Sequence, residues 1–237
     1  FTLSYLCRYT GLQQESVRAV ERALELHPGN VRFRSAGFTY VYQRDYRRAL
    51  EIFALDAGGT LGIAWQGMML LLLGEERQGL ERLERAVAME PDGFLGLRHA
   101  AVLAHARGES SQGIDFLRRL EERLSRDGDA ELWHVVATAY GLLGEGEGCL
   151  RALRRAIDRG FFNHTALADD PLLAPARGPR LDALLALARD RSEAFRGTFE
   201  ASSVPALAAL RLGPDGPSPG PSGEETRMRP EADPAAW

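Results

Sequence analysis

Cysteine is scarce in this 237-residue chain: only Cys7 and Cys149 occur, and no CxxC pair. That excludes a disulfide framework and a zinc ribbon, and it suits a reducing compartment. Long apolar runs are missing too. The longest, Met68 to Leu73, falls far short of the ~18 residues that span a bilayer. An excess of one charge is also lacking. The net charge is −4 with acids and bases interspersed, which gives no support for a nucleic-acid or anionic-membrane surface. There is no HExxH and no cysteine in a catalytic-looking context. Nor is there an initiating methionine. The chain opens at Phe1 inside a helical pattern and is expected to be the downstream part of a longer protein. With 45% hydrophobic and 26% charged residues, it has the make-up of a soluble globular body, expected to be cytoplasmic.

A recurring helix pair is what the sequence does contain. The clearest copy runs from Trp133 to Ala156. Trp133, Val136, Ala137 and Tyr140 share one face of a first helix, and Cys149, Leu153 and Ala156 one face of a second. Gly144 turns the chain between them, and small Ala137 opposite small Cys149 lets the two backbones approach. The small-then-large pair of the second helix recurs as Ser16/Val20, Ala49/Phe53, Gly79/Leu83, Gly113/Leu117 and Cys149/Leu153. Successive copies are 33, 30, 34 and 36 residues apart. Nine residues before each small position stands Cys7, Tyr40, Leu70, Ala104 or Tyr140. Glycines 11, 74, 108 and 144 follow the first helices, where a left-handed residue ends a helix. The second copy has Arg44-Asp45 there instead, and Asp45 is the residue expected to tolerate that conformation.

This pattern resembles the tetratricopeptide repeat (TPR) family, whose signature sets Trp, Leu-Gly and Tyr on its first helix and Ala, Phe and Pro on its second. Trp133, Val136-Ala137, Tyr140, Cys149 and Leu153 occupy those places. The resemblance implies an all-α fold, a right-handed superhelical solenoid of antiparallel helix pairs. About five repeats would fill residues 1–160, the first one truncated. The second unit, Asn30 to Ala57, has Gly58-Gly59-Thr60 in place of the terminating proline, so an irregular hinge is expected. Residues 161–200 change character. Gly160-Phe161, Asp170-Pro171-Leu172 and Pro179-Arg180-Leu181 resemble the ending of bacterial TPR arrays attached to signalling domains. A final helix from about Pro179 to Arg196 would cap the last repeat with Leu181, Leu184, Leu185, Leu187 and Ala188. Residues 201–237 are expected to be a disordered tail, rich in Pro, Gly and Ser from Gly213, with at most a short helix at Pro205–Leu212. Stability is expected to fall toward the truncated N-terminal end.

The resemblance also implies where a ligand sits, because TPR first helices line a concave groove that holds a peptide. By register the groove takes Arg34, Phe38 and Tyr42 from the second unit, and Ala64, Met68 and Leu72 from the third. The fourth supplies Arg98, Val102 and His105, and the fifth His134 and Thr138. Arg34 and Arg98 suit an acidic or C-terminal carboxylate, and Phe38, Tyr42 and Met68 suit apolar anchors. The carboxylate clamp of chaperone-binding TPRs is not matched, since Phe38, Met68 and Val102 stand at its polar positions. No cofactor or metal is expected. His99, His105 and His134 could approach one another on adjacent helices, but no i, i+4 pair fixes a site. Gly144-Glu145-Gly146-Glu147-Gly148 lacks the preceding strand of a phosphate-binding loop and reads as the repeat turn. Asp170 before Pro171 reads as a cap. The expectation is a non-catalytic scaffold that binds a peptide segment of a partner protein. The alternative is the C-terminal regulatory array of a larger bacterial signalling protein, such as a Ser/Thr kinase, a nucleotide cyclase or a transcriptional regulator. An enzyme built on the array would need a catalytic cluster, and the sequence displays none.

Overall fold

The computed structural model describes residues 1–124 and 128–202. Among the described residues every regular element is a helix. Four helix pairs follow the expected repeat: α1 (Thr2–Thr10) with α2 (Gln13–Leu26), then, from the third unit on, α5 (Thr60–Leu72) with α6 (Glu76–Met89), α7 (Phe94–Ala106) with α8 (Ser110–Leu124), and α9 (Ala130–Leu142) with α10 (Gly146–Asp158). The second unit is α3 (Gly37–Val41) with α4 (Tyr46–Phe53), and the ending contains α11 (His164–Ala168) and α12 (Pro179–Ala201). Ser125 and Asp127 of the fourth unit's long turn, the proposed helix at Pro205–Leu212 and the tail beyond it lie outside the described residues. Among the described residues no helix is long and apolar enough to cross a membrane.

The two helices of a pair touch where their small residues meet, twelve positions apart. A Cβ added to Gly67 would lie 2.9 Å from the carbonyl oxygen of Gly79 and 2.8 Å from Leu83 Cδ2. One added to Gly79 would lie 3.0 Å from the carbonyl of Gly67, and one at Gly113 3.0 Å from that of Ala101. In the first pair the Ser16 hydroxyl donates to the Ser4 carbonyl at 2.9 Å. Ala137 and Cys149 are both fully buried. Backbones this close leave no room for a side chain, and in return the facing backbone atoms attract one another by dispersion.

Gly11, Gly74, Gly108 and Gly144 all adopt the left-handed conformation after a first helix. At the corresponding place of the second unit it is Arg44, not Asp45, that takes a positive φ, 60°. Asp45 instead serves α4 as N-cap, its carboxylate accepting from the Arg48 amide at 3.0 Å. The cap is worth more to the chain than a relaxed backbone at the preceding position, so the strain falls on Arg44.

Irregularity in the second unit takes a definite form. Its first helix begins as a 3₁₀ stretch, Val31–Ala36, and a second 3₁₀ turn, Ala54–Asp56, follows α4. Asn30 caps the first by accepting from the Arg32 amide at 3.0 Å. Asp56 stands where a small apolar residue is usual. It accepts from the Gly59 amide at 3.0 Å and pairs with Arg34 at 3.1 Å, which ties the two 3₁₀ turns together.

The last helix covers more than the last repeat. Leu181, Leu184 and Ala188 are buried, as the sequence pattern requires, while Leu185 and Leu187 are half-buried against the same core. Five residues beyond the expected end, α12 is still helical, and Phe195 and Phe199 pack with Leu3, Cys7, Leu12 and Ala19. The Ser192 hydroxyl donates to the Thr10 carbonyl at 2.7 Å, and the Phe162 amide to the Tyr9 carbonyl at 2.8 Å. The first helix pair is therefore not an open end: the C-terminal segment closes over it.

Candidate binding cavity between the first helices

Closure is completed in the interior by an ion pair between α1 and α9. Arg8 meets Glu131 in a two-pronged contact, Nε to Oε1 and Nη2 to Oε2, both at 2.6 Å, across 123 residues of chain. Both side chains are almost wholly buried. Tyr42 donates its hydroxyl to Glu131 Oε1 at 2.8 Å, and Tyr9 donates to Asp129 at 2.7 Å. Burial works against the charge of Arg8, but the Glu131 carboxylate outweighs it and raises the guanidinium pKa above its ordinary value. Burial, and then Glu131, also raise the Tyr9 and Tyr42 hydroxyls, so both remain donors at neutral pH.

Around this pair the side chains of α3, α5, α7 and α9 converge. Phe38 packs edge-on against Trp65 at 4.6 Å between ring centres. His134 stacks on Phe161 at 4.5 Å, and Tyr42 packs edge-on against both. Between these rings lies a cavity of about 130 Å³. Phe38, Tyr42, Met68, Leu72, Arg98, His134 and Thr138, all expected at the groove, line it together. Leu72 is 43% exposed and stands at the mouth, with Arg44 and Pro171 also exposed. Tyr42 is half-buried, and the other five are buried.

Four expected groove residues go elsewhere. Arg34 turns to Asp56. Val102 is buried in the core beside Leu103 and Val135, and Ala64 is buried with Ile63 and Ala86. His105 is half-buried, its Nδ1 3.1 Å from the Ser110 hydroxyl. The three histidines do not gather, and among the described residues no group of three or more His, Cys, Asp or Glu is placed to hold a metal.

The charged groups of the cavity differ sharply from the Arg8 pair. Arg98 is 2% exposed, and among the described residues it forms no ion pair. Its Nη1 donates to His99 Nε2 at 2.9 Å, its Nε has no partner, and its guanidinium lies 4.6 Å from the Trp65 ring centre. His99 Nδ1 is 2.7 Å from the Leu95 carbonyl. Donation there leaves Nε2 as the acceptor for Arg98. Burial and the neighbouring Arg98 push the His99 pKa far down, so it stays neutral. Burial alone lowers Arg98 to about 9, which leaves it charged at neutral pH. His134 is 4% exposed with neither ring nitrogen bonded, and its Nε2 lies 3.8 Å from Asp170 Oδ2. Asp170 caps the 3₁₀ turn Pro171–Ala176 by accepting from the Leu172 amide at 2.9 Å.

Sequence reasoning missed Arg8, Glu131, Trp65 and Asp170 as contributors to this region. Trp65 had a signal: it follows Ala64 in a helix apolar all round. Arg8 and Glu131 carried none, because a charged residue on a repeat helix ordinarily reads as solvated. Cys7 and Cys149 are buried, and burial pushes both thiols up to about 12, so neither is a nucleophile at neutral pH. No protein-family model matches the chain, and no curated protein matches it.

Proposed function

We propose that the chain is a TPR-like repeat module, a right-handed superhelical α-solenoid of about five antiparallel helix pairs, that captures a short protein segment and carries out no chemistry of its own. The supporting observation is the small-residue crossing repeated twelve positions apart, together with the mouth at Arg44, Leu72 and Pro171, where the lining of the first helices reaches solvent. An exposed leucine beside an exposed arginine suits a segment with an apolar anchor and an acidic flank or C-terminal carboxylate. The segment would dock at this mouth, since Arg8 and Glu131 bar it from lying along the whole inner face.

A test must alter exposed residues, because Arg98 and Phe38 are packed inside. Displayed random peptides are selected on the immobilised chain and then on a variant carrying Arg44→Glu and Leu72→Glu. Enrichment of apolar, acid-ended peptides that the variant no longer binds is the expected result. Equal binding to both proteins would refute the mouth as the docking place.

A second reading, a regulatory array within a larger bacterial signalling protein, is favoured by one feature. The ending that resembles such arrays is built into the centre of the molecule, with Phe161 fully buried against Tyr9, Tyr42 and His134.

A further inference from the structure

Two buried arginines in one small molecule have opposite surroundings. Arg8 is met by a carboxylate from its own chain, while Arg98, equally buried, forms no ion pair among the described residues, and Asp170, the one carboxylate lining the same cavity, is engaged by the Leu172 amide. An isolated buried charge is costly, and folds keep one where something neutralises it. We propose that the cavity binds a small monocarboxylate with a compact apolar body, its carboxylate pairing with Arg98 and its body lying between Phe38, Trp65, Met68 and Met69.

Size, charge and hydrogen bonding agree on this ligand. The volume, about 130 Å³, is close to the ~150 Å³ of a dry cavity that accepts benzene. That restricts the body to roughly one ring or a short branched chain. The charged and titratable groups facing the space are Arg98, Arg44, Asp170, His134, Tyr42 and Tyr46. Two cations oppose one fixed anion, and Asp170 is engaged by a backbone amide. Arg98 Nε is a free donor, and an unbonded His134 nitrogen can supply another to the second carboxylate oxygen. Entry lies past Arg44, Leu72 and Pro171, the exposed part of the lining. This site goes beyond peptide docking, which uses the exposed rim and does not need Arg98.

Benzoate, phenylacetate and 3-methylbutanoate are titrated into the full chain by calorimetry, beside their neutral amides and inorganic phosphate. Methyl-labelled methionine spectra follow the same titrations in the unaltered protein. The expected result is saturable one-to-one binding of at least one acid, at least tenfold tighter than its amide, with Met68 and Met69 shifting and exposed Met89 unmoved. Arg98→Met removes the preference for acid over amide, and the methionine shifts carry the test should that variant fail to fold. Acid and amide binding alike, no shift at Met68 and Met69, or competition by phosphate alone would overturn the proposal. So would peptides that bind through Arg98 when no small acid does. Loss of rim-dependent peptide binding with acid binding intact would count only against the docking function.

Discussion

At the residue scale the chain treats buried charge in two ways, and each has a measurable consequence. Arg8 is neutralised internally, so removing its partner strands a buried cation. Glu131→Ala is expected to cost about 3–5 kcal/mol in denaturant unfolding. Arg8→Met together with Glu131→Leu should return most of that loss, since a packed apolar pair replaces a charged one at little cost. A single Glu131→Ala change below about 1 kcal/mol would mean that the pair is solvated. Arg98 is the reverse case. Its pKa is about 9 when folded against 12.5 ordinarily, so between those values the unfolded chain holds more protons and stability rises with pH. Arg98→Met is therefore expected to be more stable than the unaltered chain at pH 7, and that advantage should shrink as pH climbs from about 9. A difference independent of pH up to 11 would contradict the isolated burial of Arg98. Neither arginine's environment could be read from sequence. In one case the partner comes from a helix 123 residues away, and in the other the carboxylate lining the same cavity, Asp170, is turned to a backbone amide.

Elements were far more legible than charges. Every pair of helices sits where small and large residues alternate at fixed offsets, because the offset encodes a backbone crossing that only Gly, Ala, Ser or Cys permits. The sharpest instance is Gly67, where an added Cβ would meet both a leucine and a backbone carbonyl. Gly67→Leu is expected to destabilise by about 1–3 kcal/mol or more, seen as a lowered melting temperature, because a carbonyl cannot move aside as a flexible side chain can. An unchanged melting temperature would show that α5 and α6 do not cross there. The second unit resisted reading for a local reason. Asp56 breaks the apolar pattern and is satisfied by Gly59 and Arg34, which favours 3₁₀ turns over a continuous helix. At Arg44 the competing demand of the Asp45 cap decided which residue took the left-handed turn.

On the scale of the whole molecule, the sequence implied a one-dimensional stack in which each unit touches its neighbours. The contacts of α1 with α9 and α12 are not of that kind. They join the first described helix to α9 and to α12, the last. Expected groove residues came together, Phe38 with Met68, Arg98 and His134, but mostly as cavity wall rather than open surface. Closure depends on long-range pairing that no repeat pattern encodes. Native-state hydrogen exchange, resolved by segment, is the most direct test of it. The amides of α1 and of the Phe195–Phe199 end of α12 are expected to exchange as slowly as those of α9, opening only with the body of the protein. Fast exchange of both segments, with α5 to α10 still protected, would contradict a closed molecule.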